Sequence, residues 1–140
     1  MISWKSCYDI GIATFDDEHH QLVGTINQLY GAMREKRADA TLEGLLQDLI
    51  HYTEIHFAHE EEVMDRYRFD AVDPHCSEHR QLVDKIKQFQ RDLNQGKERL
   101  SAEVMTFLRN WLLDHIVETD MALGRFLRDQ GIYDCGPPKL

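Results

Sequence analysis

Apolar residues recur three and four positions apart along nearly the whole of this 140-residue chain, and nowhere in sustained strict alternation. That period belongs to amphipathic α-helices and argues against a sheet as the main architecture. Four stripes can be traced. The first runs from Ile12 and Phe15 through Leu22, Ile26 and Leu29 to Met33, and the second from Leu42 through Leu46 and Leu49 to Val63 and Met64. The third runs from Val72 through Leu82 and Ile86 to Leu93, and the fourth from Leu100 through Val104, Leu108 and Leu112 to Leu123 and Leu127. Asp16 or Asp17, Asp39, Asp73 before Pro74, and Ser101 are placed to start helices, and Gly96 to end one. The connections near residues 36–40, 68–73 and 94–100 are short, so consecutive helices should lie antiparallel. The expected fold is all-α: an up-down-up-down antiparallel four-helix bundle over residues 1–133 with an N-terminal extended arm, followed by a frayed tail or linker stub over residues 134–140.

Composition enters by what it excludes. A formal net charge of −9 leaves no basic face for nucleic acid. No apolar run approaches the ~20 residues that span a bilayer, so membrane insertion is not expected. The start, Met1 to Gly11, lacks the basic and then apolar order of a secretory signal. Cys7, Cys76 and Cys135 are scattered and odd in number, which fits a reduced, cytoplasmic setting. A bridge between Cys7 and Cys135, near the two termini, stays open as an alternative. The one compositional oddity is eight histidines.

Several of those histidines interrupt the stripes where the helical period calls for apolar residues. His19 falls between Phe15 and Leu22. Thr53, His56 and Glu60 continue the line from Leu49 to Val63 and Met64. His75 and His79 lie between Val72 and Leu82, and His115 and Asp120 between Leu112 and Leu123. His20, His51 and His59 fall off the stripes and are read as solvated, together with Glu61 and Glu62. With helix direction alternating, the inward set His19, His56, Glu60, His75, His79, His115 and Asp120 converges on one end of the bundle interior. Burying carboxylates without cations costs several kcal/mol per ion, which a marginally stable domain cannot spare. Five neutral imidazoles cannot satisfy one another either, since each offers one donor and one acceptor. A metal cluster removes both objections.

Seven ligands are too many for one tetrahedral zinc, and calcium or magnesium would call for oxygen. Imidazole with a minority of carboxylate suits iron, copper or zinc, and a bundle interior suits a dinuclear pair. If Glu60 and Asp120 bridge two six-coordinate metals together with a hydroxide, the five histidines fill all but one of the remaining positions. A small ligand could bind reversibly there. This pattern contains none of the Glu-x-x-His pairs of ferritin-like di-iron oxidases. By the same face reading, His56→Ala should cost metal and His59→Ala should not.

Here the chain resembles the bacteriohemerythrins, a family with a hemerythrin-like domain, over nearly its whole length. The resemblance rests on Asp16-Asp17-Glu18-His19 with Leu22, His56-Phe57-Ala58-His59-Glu60-Glu61, His75-Cys76-Ser77-Glu78-His79, and Trp111-Leu112-Leu113-Asp114-His115 with Asp120. Trp4 and Gly11-Ile12 also match. It implies reversible dioxygen binding, as a carrier, a store or an oxygen- or redox-sensing domain, with no substrate consumed. The implied cofactor is two iron ions (Fe2+/Fe3+) bridged by Glu60, Asp120 and a hydroxide or oxide. One iron would be held by His75, His79 and His115, and the other, with the open position, by His19 and His56. Leu112 and Trp111 would line the oxygen pocket. The rival expectations are a di-iron oxidase or peroxidase-type enzyme, and a sensor module working through an output domain or protein partner.

Overall fold

The computed structural model describes residues 2–96 and 101–138, with Asp39 described by its backbone alone. Leu100 and the end of the third connection therefore lie outside the described residues. Helix α1 spans Ala13–Arg34, α2 Asp39–Arg66, α3 Val72–Asn94 and α4 Ala102–Asp114. The fourth stripe does not stay regular: α4 runs into a π-helical turn, His115–Asp120, and resumes as α5, Met121–Asp129.

Side-chain contacts fix the directions. Between α2 and α3, Gln47 meets Gln90, Glu54 meets Lys87 and Glu61 meets His79. One number rises as the other falls, so these helices are antiparallel. The same holds for α3 against the fourth helical segment, where Phe89 faces Phe107 and Glu78 faces Thr119. Along the axis, Leu22, Ile26, Leu29, Leu46, Leu49, Leu82, Ile86 and Leu108 form the apolar core. The ends differ a little from expectation. Ser101 accepts a hydrogen bond from the Val104 N–H, as a cap should. Asp16 instead lies inside α1 and accepts from the N–H groups of Ile10 and Gly11. Asp39 and Asp73 likewise lie inside their helices, after Ala38 and Ala71. Gly96 follows the end of α3 with φ +67°, the left-handed conformation that glycine adopts freely.

The N-terminal arm is extended at both ends but makes one 3-10 turn, Ser6–Tyr8. Ile2 pairs with the Asn27 amide through its own N–H and carbonyl, while Ile10 and Ile12 are buried. The arm passes so close to α5 that a Cβ on Gly124 would stand 2.7 Å from the Ile10 carbonyl oxygen. The start of the tail meets the beginning of α1. The Ala13 N–H donates to the Tyr133 carbonyl, and the Cys135 N–H donates to the Thr14 hydroxyl, which itself donates to Asp134. All three cysteines are free, so the Cys7–Cys135 bridge is not formed. Among the described residues, no helix is long and apolar enough to cross a membrane.

Candidate metal centre

Each helix contributes to the cluster where its apolar stripe would otherwise continue. His19 comes from α1, His56 and Glu60 from α2, His75 and His79 from α3, and His115 and Asp120 from the π turn. All seven are buried, none more than 2 % exposed. The i,i+4 pairs on α2 and α3 need only a regular helix to share a face. His115 and Asp120 are five apart, and on an α-helix Asp120 would point about 140° away from His115. The π turn narrows that angle by closing i→i+5 hydrogen bonds. It brings His115 Nε2 to 3.0 Å from Asp120 Oδ1.

Around the two carboxylates the imidazoles divide unequally. Asp120 Oδ2 faces His19 Nε2 at 2.9 Å, and its Oδ1 faces His75 Nε2 at 3.1 Å. Glu60 Oε1 faces His56 Nε2 at 3.0 Å and His79 Nε2 at 3.3 Å. Two groups of mutually close ligand atoms result: Glu60, Asp120, His75, His79 and His115; and Glu60, Asp120, His19 and His56. The two carboxylates belong to both.

The donor set fits cations better than it fits itself. Nε2 of all five histidines and all four oxygens of Glu60 and Asp120 are buried, and none makes a hydrogen bond of acceptable geometry. Such atoms are rare in proteins because leaving them unpaired is costly. Here they converge, the ligand atoms of each group lying within 4.8 Å of one another, as coordination requires.

Without metal, protons supply the missing positive charge. Burial would lower the pKa of His56, but the Glu60 charge and the hydrogen bond to Glu18 outweigh it and raise the value from 6.5 to about 10. His75 and His115 are also raised to about 10, against their burial, by Asp120 with Glu60 and by Asp120 with Glu78. Burial pushes Glu60 up, yet His56, His75 and His79 hold it well below the usual carboxylate range. Asp120 is pushed up by burial and by Glu60 but held low by His115 and His19.

A second layer of carboxylates stands behind the imidazoles. Glu18 Oε1 lies 2.6 Å from His56 Nδ1, Glu61 Oε2 lies 3.1 Å from His79 Nδ1, and Glu78 Oε1 lies 3.5 Å from His115 Nδ1. Thr119 donates to the other oxygen of Glu78 at 2.7 Å. Such partners orient a ligating ring and fix which nitrogen bears its proton. The periodicity does not reveal them; their only sequence signal is a place beside a ligand in the quoted motifs.

His20 and His51 are exposed as expected, and His20 packs against the Trp4 ring. His59 overturns its expectation. It is only 4 % exposed, because Phe15 lies edge-on against its ring and Glu18 meets its Nδ1. Glu61 is not simply wet either, since it faces His79.

One helical turn from the ligands lies an apolar cavity of about 10 Å³. Its lining includes Leu22, Thr53, Phe57, Leu82 and Leu112. Trp111 is not part of that lining. It stacks on His115 with ring centroids 4.7 Å apart, as Phe57 stacks on His79 at 3.7 Å.

Residues 10–127 match the family model described as the hemerythrin HHE cation binding domain. A bacteriohemerythrin of Stenotrophomonas maltophilia is 27 % identical over 122 residues, covering 87 % of this chain and 78 % of that protein. One from Clostridium acetobutylicum is 25 % identical, covering 86 % and 96 % respectively. Myohemerythrin-1 of Phascolopsis gouldii is 28 % identical, covering 84 % and 87 %. A wild-type hemerythrin crystal structure shares the fold, with a TM-score of 0.84 at 24 % identity over 89 % of this chain and 96 % of that one.

Proposed function

This chain belongs to the hemerythrin HHE cation-binding family, and we propose that its seven buried ligands hold two iron ions at which dioxygen binds reversibly. One observation carries the reading. Glu60 and Asp120 belong to two ligand groups at once, one completed by three histidines and the other by two. Two metals sharing the carboxylates would therefore be unequally served, and the His19/His56 side would keep a position for an incoming ligand. When bound, the iron pair would supply the electrons that dioxygen takes up and gives back.

The chain's own residues would do the rest. Glu60 and Asp120 would bridge and neutralise, and the imidazoles would hold each ion without giving it the carboxylate-rich surroundings that favour oxygen activation. The apolar cavity is one turn from a ligand on every helix, by Leu22 after His19, Thr53 before His56, Leu82 after His79 and Leu112 before His115. Among the residues named here, only Thr53 offers a side-chain polar group, so the cavity gives the ligand cluster a dry, apolar wall. The histidine majority in the ligand set favours a binding protein over an enzyme. The free cysteines fit work in the cytoplasm.

The test is anaerobic loading with ferrous iron, then exposure to air. About two irons per chain and a charge-transfer band that fades when oxygen is withdrawn are expected. A cluster that takes only zinc, or a diferrous protein that shows no band in air, overturns the reading. Sustained consumption of a reductant with oxygen would mark an oxidase instead.

A further inference from the structure

One buried polar side chain has no place in the chemistry above. His59 is 4 % exposed, and its Nδ1 lies 2.6 Å from Glu18 Oε2. The other oxygen of the same carboxylate lies 2.6 Å from Nδ1 of His56. Glu18 thus stands between two imidazoles, one a proposed ligand and one not. Nε2 of His59 makes no hydrogen bond. Its bond to Glu18 is the one side-chain hydrogen bond the ring makes.

The setting of Glu18 differs from that of its counterparts. The side chains of Glu61 and Glu78, behind His79 and His115, are 41 % and 40 % exposed, whereas that of Glu18 is 13 % exposed. A wet carboxylate can turn to water for whatever hydrogen bonds the protein omits. A dry one needs protein donors for both oxygens or it leaves its post. His56 supplies one donor and His59 the other.

Resting on the di-iron reading, we infer that His59 is a positioning residue that clamps Glu18 against His56 and so retains the metal of the two-histidine half. With Glu18 accepting from Nδ1, His56 keeps its Nε2 lone pair on the side of Glu60, 3.0 Å away. Remove the His59 donor, and one oxygen of Glu18, a side chain only 13 % exposed, loses its protein partner. Glu18 then turns outward and His56 is free to rotate. The remaining imidazole of that half cannot compensate, because His19 Nδ1 has no partner. The three-histidine half, with Glu61 behind His79 and Glu78 behind His115, is not affected. His59→Ala is therefore expected to cost metal, the reverse of what its place off the stripe suggests.

The experiment compares the full chain with His59→Phe, which keeps a ring against Phe15 but no donor, and with His59→Gln, which restores an N–H. Each is loaded anaerobically with ferrous iron, and release to a colorimetric ferrous chelator is followed. In His59→Phe one of the two irons should leave about ten times faster or more, the usual scale for losing such a partner. The second should leave at the original rate, and His59→Gln should recover much of the loss. If both irons leave His59→Phe at the original rate, or both leave equally faster while the metal-free protein melts lower, the positioning role is overturned. If the unsubstituted chain never holds a second iron, the di-iron reading falls first and this inference with it.

Discussion

At the residue scale, the centre is a problem of charge before it is one of coordination. Glu60 and Asp120 are wholly buried, and the metal-free chain neutralises them with protons on His56, His75 and His115. A metal must displace those protons, because a ligating imidazole is neutral. Adding ferrous iron or zinc at pH 7 should therefore acidify a weakly buffered solution, which a pH-indicator dye would record, and apparent affinity should weaken as the pH is lowered. Metal uptake without proton release would contradict the raised values. Substitution separates the two faces of α2: His56→Ala should lose metal by elemental assay, whereas the exposed His51→Ala should keep it.

At the element scale, two departures from a regular helix bundle shape the site. The π turn at His115–Asp120 lets one helical segment present both the His115 imidazole and the Asp120 carboxylate that belongs to both ligand groups. Just beyond it, α5 carries Gly124, which lets the N-terminal arm pass against the backbone. Gly124→Ala should cost about 1–3 kcal/mol in urea unfolding, because the atom in the way is a backbone carbonyl that cannot swing aside. Leu112→Ala should cost about 2–5 kcal/mol by the same measurement. It would also enlarge the apolar cavity, so faster exchange of oxygen is expected if the cavity serves the site. Equal stability for either variant would show that the close packing at that position is not felt.

At the scale of the whole molecule, the cluster sets the pH range over which the metal-free bundle is most stable. The raised histidines contribute fully below their ordinary value of 6.5, and that contribution is lost as pH climbs towards about 10. The depressed carboxylates contribute above their ordinary values, 4.5 for Glu60 and 3.8 for Asp120, and lose it as pH falls below them. The melting temperature of the metal-free protein should therefore peak at about pH 4.5–6.5 and decline towards pH 10. With metal bound the imidazoles are already neutral, so the alkaline decline should flatten. Circular-dichroism melts across that range, with and without a chelator, would check both limbs.

The helical period is a local property, and this is why the bundle and the inward seven could be read from the sequence. His19, His56, Glu60, His75, His79, His115 and Asp120 each replace an apolar residue in a stripe, and each is buried. His59 escapes the pattern because it lies only about 60° round the helix from His56, on a flank whose wetness depends on its neighbours. The neighbours are Phe15 and Glu18, more than forty residues away in the chain. The carboxylates behind the imidazoles follow the same logic. Which of Glu18, Glu61 and Glu78 meets which ring depends on how far one helix slides past the next, and no residue pattern within a single helix records that. Residue order marked the seven stripe positions as inward; the register between helices decided that His59 is buried beside them and how each ring is held, and the π turn brought Asp120 onto the side of His115.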